Sequence, residues 1–213
     1  MSPGRFITFE GGEGAGKSTQ AKLLAEALSK RGLDVVMTRE PGGAPTAEQI
    51  RSLLVEGEAG RWDPVTEALL HSAARREHLV HTVLPAIRRG AWVISDRFAD
   101  STVAYQGAGQ GVTAAQLDQL YRLIAGDFQP DLTVILDLPV AAGLKRAASR
   151  GGKEDRYERM GVAFHERIRA SFAAIASANP KRCVVISATA DPASVHRSVL
   201  AATDSRLGAR GIA

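Results

Sequence analysis

Residues 11–18 read Gly11-Gly12-Glu13-Gly14-Ala15-Gly16-Lys17-Ser18, a complete G-x-x-x-x-G-K-[ST] loop between an apolar strand pattern over 5–10 and a helical pattern over 19–30. Glycines at such a junction let successive backbone N–H groups turn inward around phosphate oxygens. The lysine then reaches the β- and γ-phosphates, and the serine hydroxyl offers a ligand to Mg²⁺. The stretch predicts a nucleoside triphosphate site built from Gly11, Gly12, Glu13, Gly14, Ala15, Gly16, Lys17, Ser18 and Thr19. A glycine turn that only joins strand to helix would need neither Lys17 nor Ser18. The dinucleotide pattern G-x-G-x-x-G fails, because counting from Gly12 puts Lys17 where its last glycine belongs.

Outward from this loop, five short apolar runs (6–9, 35–38, 92–95, 132–136 and 184–187) alternate with segments of helical period. That alternation predicts an α/β fold with a parallel sheet covered on both faces. Helix starts are marked by Thr46 with Gln49 and Thr113 with Gln116 as capping boxes, and by Asp63-Pro64 and Asp191-Pro192 as N-cap followed by proline. Leu117, Leu120, Tyr121 and Ile124 form one apolar stripe; Phe164, Ile168, Phe172 and Ile175 form another. Both read as core. Two glycine-containing stretches interrupt the regular pattern, QGAGQG at 106–111 and RGGK at 150–153. The second lies among Arg146, Arg150, Arg156 and Arg159, which suits a glycine-hinged, arginine-bearing lid over about 146–158.

The chain has 213 residues, 45% of them hydrophobic, enough for one well-buried α/β domain over 1–213. No apolar run approaches the roughly 20 residues of a membrane span. The strand pattern begins too early to leave room for a signal peptide, so the expectation is a cytoplasmic protein without membrane contact. Cys183 is the single cysteine; it sits in an apolar run and reads as a small core residue. The net charge is +4, and the basic residues are 21 Arg against 6 Lys. Arginine's planar fork suits phosphate binding. The charge is spread along the chain and no nucleic-acid module occurs, so a nucleic-acid partner is not expected.

Several further stretches belong together. They are Phe9-Glu10-Gly11 through Gly14-Ala15-Gly16-Lys17-Ser18-Thr19, and Thr38-Arg39-Glu40-Pro41-Gly42-Gly43. Leu69-Leu70-His71 with Arg75 follows, then Ser95-Asp96-Arg97-Phe98 with Ser101 and Ala104-Tyr105-Gln106-Gly107, and finally Asp155-Arg156-Tyr157-Glu158. In this ordered series the sequence resembles the thymidylate kinase family of P-loop nucleoside monophosphate kinases. The resemblance implies a five-stranded parallel sheet in the order 2-3-1-4-5, a homodimer, and Mg²⁺-dependent transfer of the γ-phosphoryl of ATP to dTMP. It also implies that Arg97 clamps the acceptor phosphate with Arg39 nearby, and that Asp96 organises Mg²⁺ beside Ser18. Glu13 would accept a hydrogen bond from the sugar 3′-hydroxyl, and Ser101 and Gln106 would join the acceptor side. The loop lacks a basic residue at its variable positions, so the chain is similar to the branch in which lid arginines, Arg150 and Arg156, serve the transition state; Arg146 would lie near the adenine.

Some of this chemistry stands on the residues themselves. A monophosphate acceptor already carries an anionic oxygen, so the site must hold two polyanions in line and neutralise their repulsion. His71 and Arg75 are four residues apart and share a helix face, so a flat ring and an arginine fork can meet one base together. Arginine only donates; it complements thymine O4 and opposes the amino group of cytosine. Tyr105 near the sugar would disfavour a ribose 2′-hydroxyl. Two positions depart from the family pattern, His71 where Phe is usual and Ala44 where Thr is usual. An imidazole stacks over less area and titrates near pH 6.5 unless perturbed, which predicts weaker or pH-sensitive base binding. Two rival readings stay open: a kinase for UMP or CMP, and a nucleotide-switched module with no acceptor. The absence of an N-K-x-D guanine signature argues against the second.

Overall fold

The structure is a computed structural model and describes residues 4–58, 60–149 and 156–208. The five apolar runs form strands β1 (Arg5–Glu10), β2 (Val35–Arg39), β3 (Trp92–Asp96), β4 (Leu132–Asp137) and β5 (Cys183–Ser187). All neighbours pair in parallel, in the order β2-β3-β1-β4-β5. Parallel neighbours need crossovers, and the crossover helices cover both faces, so the inner strands read as continuous apolar runs. The edge strands leave Met37 and Val185 half-exposed.

The period of two along β1 divides the core. Ile7 and Phe9 pack with Leu24 and Leu28 of α1 (Lys17–Ser29) and Val199 of α9 (Pro192–Leu207). Phe6 faces the other way, against Leu79, Val83 and Phe98. Thr8 shares that second face; its polar group is satisfied by the Thr133 hydroxyl at 2.9 Å. Cys183 is buried, in a cluster with Phe164, Ile168 and Phe172, and burial pushes its thiol up to about 11.

Between β2 and β3 lie α2 (Pro45–Val55) and α3 (Pro64–His78), which passes through a π turn, Leu79–Val83, into α4 (Leu84–Arg88). After β3 come α5 (Ala99–Thr102) and a π-helical segment, Val103–Gly109. The stretch 106–111, expected to interrupt the regular pattern, is therefore helical up to Gly109. Beyond it lie α6 (Ala114–Ala125), α7 (Val140–Ala148) and α8 (Val162–Ala178). The capping box at Thr113 is present, and Asp63 and Asp191 accept from the first-turn N–H groups of α3 and α9. The box expected at Thr46 is not. Ala44 is the N-cap of α2 and offers no side-chain acceptor, while the Thr46 hydroxyl bonds Glu77 on α3. Pro45 sets this start two residues earlier, because proline favours the first helical residue.

Candidate active site

The carboxyl ends of β1 and β3 open to one side of the sheet, where a parallel fold places its ligands. The loop after β1 needs glycine for two reasons. Gly11, Gly14 and Gly16 all have positive φ, and a Cβ on Gly11 or Gly14 would fall 2.5 Å from the Leu136 carbonyl oxygen or 2.1 Å from that of Gly143. The loop is thus wedged between β4 and α7. Lys17 is buried and folds back over it, donating from Nζ to the carbonyls of Gly11 at 3.1 Å and Gly12 at 2.8 Å. Burial, with the Arg97 charge adding to it, lowers the Lys17 ammonium to about 8. The Ser18 hydroxyl donates to Asp96 Oδ2 at the end of β3.

Arg97 follows Asp96 with φ 72°, the one non-glycine residue in the left-handed region among the described residues. Its Nη1 donates to Gly11 O at 3.3 Å and Ser101 Oγ at 3.1 Å, and its Nη2 to Glu13 Oε1 at 2.9 Å and the Tyr105 hydroxyl at 3.0 Å. Tyr105 in turn donates to Glu13 Oε1 at 2.7 Å. Burial alone would raise the Glu13 carboxyl, but Arg97, and then Lys17 and Tyr105, hold it at about 2. Arg39 is half-exposed and reaches Glu48 Oε2 at 3.0 Å.

At the far end, Arg75 is buried. Its Nε donates to Glu40 Oε2 at 2.7 Å, and Nη2 to Phe98 O at 3.2 Å and Thr102 Oγ1 at 3.0 Å. Glu40 also meets His78 Nδ1 at 2.9 Å. Arg75, and after it His78, keeps this carboxyl low against the opposing effect of burial. His71 Nε2 lies 3.2 Å from the Tyr157 hydroxyl. That hydroxyl gives its proton to Glu67 Oε1 at 2.7 Å and receives Gln106 Nε2 at 3.3 Å. One proton and two lone pairs are then all used if His71 carries its hydrogen on Nε2. Burial and the Arg75 charge push the His71 imidazole down to about 4. It is neutral through the physiological range, so His71 is the perturbed case and not an imidazole titrating near pH 6.5.

One cavity of about 780 Å³ runs between these ends, and Glu13, Ser18, Arg39, His71, Arg75, Asp96, Arg97, Ser101, Tyr105 and Gln106 all line it. Every acceptor-side residue named from the sequence meets there, in a volume suited to a small-molecule ligand. Arg156 also lines it but is buried, paired with Glu67 and donating to Leu54 O at 2.9 Å and Glu58 O at 3.2 Å. Its guanidinium is committed to α2 and α3 here, not held ready over the phosphate loop. Arg146 lies elsewhere, donating to Ala188 O at 3.0 Å beside the start of α9. Arg150 falls outside the described residues. Sequence reasoning missed Glu40, Glu67, His78 and Tyr157 as site-builders. Glu40 and Tyr157 stood inside quoted motifs, whereas Glu67 and His78 carry no local signal.

A family model described as thymidylate kinase matches residues 9–199. Thymidylate kinase of Caulobacter vibrioides is 53% identical over 208 residues, covering 98% of this chain and 100% of the relative. That of Dinoroseobacter shibae is 52% identical over 199 residues, covering 93% and 96%. The crystal structure of thymidylate kinase from Ehrlichia chaffeensis superposes with a TM-score of 0.76 at 39% identity, covering 94% of this chain and 98% of that one.

Proposed function

We infer the chemistry of this site from one premise: the chain belongs to the thymidylate kinase family. It is a dTMP kinase that transfers a phosphoryl group from ATP to dTMP. The observation that carries the assignment of individual residues is the continuity of one cavity from Ser18 and Asp96 to His71 and Arg75.

In this reading the amides of the loop from Gly11 to Thr19 and the Lys17 ammonium hold the ATP phosphates, with Arg146 toward the adenine. Arg97 clamps the acceptor phosphate, with Arg39 at the cavity edge. Glu13 takes the 3′-hydroxyl through the oxygen that does not already serve Arg97 and Tyr105. Arg75 faces thymine O4 and His71 lies against the base, with Ser101, Tyr105 and Gln106 completing the acceptor side. No side chain has to deprotonate the acceptor, so catalysis consists of alignment and charge neutralisation. Arg150 is the proposed transition-state cation of the 146–158 lid. Arg156 could join it only by leaving Glu67, and where it stands it anchors the end of that segment.

Ser18 and Asp96 present two hard oxygen ligands side by side at the phosphate loop, which fits Mg²⁺, a cation that keeps several waters and takes one or two carboxylates plus substrate phosphates. When bound, Mg²⁺ neutralises charge on the β- and γ-phosphate oxygens. Leu53 on α2, Val65 and Leu69 on α3 and Leu123 on α6 are exposed apolar side chains on adjoining helices, which supports a homodimer through this face. Light scattering of Leu123→Glu would give a monomer mass if the face is the interface. Among the described residues no helix is long and apolar enough to cross a membrane; the proposed setting is the cytoplasm, with no nucleic-acid partner. The described strands form one sheet, which supports a single kinase domain.

The test is ADP formation from ATP and Mg²⁺ with dTMP, dUMP, UMP, CMP or no acceptor, with direct detection of the phosphorylated product. Strong preference for dTMP is the expected result. Preference for CMP would overturn the assignment of Arg75 to the base.

A further inference from the structure

Glu10 ends β1 with its side chain fully buried. It shares the sheet face of Phe6 and Thr8, by the strand's period of two. Oε1 accepts the N–H of Phe98 at 2.8 Å and of Ser101 at 3.3 Å, and Oε2 accepts the Ser101 hydroxyl at 2.6 Å. Phe98 is the N-cap of α5 and has no side-chain acceptor to offer, so a neighbouring strand supplies the cap that this helix start lacks. One residue earlier, Phe9 O accepts the N–H of Arg97 at 2.9 Å. The end of β1 thereby grips consecutive N–H groups on both sides of the left-handed turn at Arg97. A bulky side chain keeps such a backbone only where its surroundings over-determine it. The Ser101 oxygen, hydrogen-bonded to Glu10 Oε2, also receives Arg97 Nη1 at 3.1 Å.

We propose that Glu10 is a positioning residue for acceptor-phosphate binding. It fixes the backbone turn at Arg97 and, through the Ser101 hydroxyl, aims the guanidinium into the cavity without touching substrate. The inference rests on the reading of Arg97 as the acceptor-phosphate ligand. Ser101 is accordingly a relay between Glu10 and Arg97.

The charge state of Glu10 offers a second readout. Burial, and after it the Asp100 carboxylate, pushes Glu10 up to about 8. The titratable and charged groups around it are Asp100 on α5, which pairs with Arg182, together with Arg97, Lys17 and the Cys183 thiol on β5. Ionisation above that pH adds a negative charge beneath Arg97 and weakens its hold on a phosphate dianion.

Steady-state kinetics on the full chain, varying ATP and dTMP separately, test the proposal. Glu10→Ala is expected to raise the KM for dTMP about tenfold, the scale of a lost hydrogen bond to a charged group, with the KM for ATP nearly unchanged. Glu10→Gln, whose amide oxygen still accepts both N–H groups, is expected to recover most of that loss. Between pH 7 and 9 the KM for dTMP should climb more steeply in the parent than in Glu10→Gln; Lys17 titrates in both proteins, so the difference between the two profiles reports Glu10. Arg97→Ala separates the two readings. If it leaves the KM for dTMP unchanged, the role of Arg97 falls. If it raises that KM while a folded Glu10→Ala protein does not, or if Glu10→Ala raises both KM values alike, positioning by Glu10 is overturned. Should Glu10→Ala fail to fold, Glu10→Asp, whose shorter side chain withdraws the carboxyl from Phe98 and Ser101, decides: a raised KM for dTMP with that for ATP unchanged supports positioning, and an unchanged one overturns it.

Discussion

Arg156 pairs with Glu67 where the two side chains are 1% and 0% exposed. The pair joins the segment before α8 to α3, and Glu67 also accepts the hydrogens of Tyr157 and Gln106. A buried pair of this kind contributes little net stability against a well-packed apolar alternative, but losing one partner strands the other charge.

Glu67→Ala is therefore expected to cost about 3–5 kcal/mol of unfolding free energy at neutral pH, read by urea denaturation. Tyr157 and then Arg156 hold the Glu67 carboxyl below its ordinary value, against burial that would raise it. A depressed carboxyl contributes stability that is present above its unfolded value of 4.5 and is lost as pH falls through its folded value. The gap between parent and variant should narrow on acidification and stay constant from pH 6 to 8. A gap that is small at pH 7 would contradict the burial of this pair.

Replacing His71 by Phe enlarges the ring beside the base while leaving the Tyr157 hydroxyl bonded to Glu67 and Gln106. Aromatic contacts of this kind are worth about 0.5–1.5 kcal/mol, so the KM for dTMP should fall about two- to tenfold. Because the imidazole is held near 4, His71 contributes no pH dependence to that KM between pH 6 and 8. An unchanged or higher KM in the variant would remove the base-stacking role.

Lys17 stands at about 8 in the nucleotide-free protein, and triphosphate oxygens favour its charged form. ATP binding near pH 8 should then take up roughly half a proton. Calorimetry in buffers of different ionisation enthalpy measures this uptake, and Lys17→Met should abolish it together with at least about a hundredfold of turnover. Uptake that persists in Lys17→Met would place the titrating group elsewhere.

Ala44 leaves α2 without a side-chain cap although its backbone, at φ −147° and ψ 153°, already has the extended form of an N-cap. Ala44→Thr should add about 1 kcal/mol and raise the Tm by roughly 2–4 °C for a chain of this size. Ala44 packs against Ala47 and Ala74, so a lower Tm would mean that crowding by the new methyl outweighs the cap.

Residues 11–18 announced a phosphate loop because that geometry is local: a strand, a turn that only glycine permits, and a helix start lie within one short stretch. The strands were legible for a related reason. Inner parallel strands are buried on both faces, and their apolar runs stand out without knowledge of neighbours. Asp63, Thr113 and Asp191 could be read as caps because a cap acts within three residues of itself. Thr46, read the same way, is not a cap, since its hydroxyl found a partner on another helix. The order of the strands and the roster of acceptor residues came from likeness to a family, carried by matching motifs rather than by composition or period.

What tertiary structure alone decided is how each charge is spent. Lys17 lowered to about 8 and His71 to about 4, Arg156 engaged by Glu67, and Glu10 capping a helix 88 residues away all depend on groups brought together from distant elements. By itself the sequence determined the local conformations and the residue types that phosphate chemistry requires. Burial and through-space partners, which set the energy of a charge, arise only when the strands and helices pack.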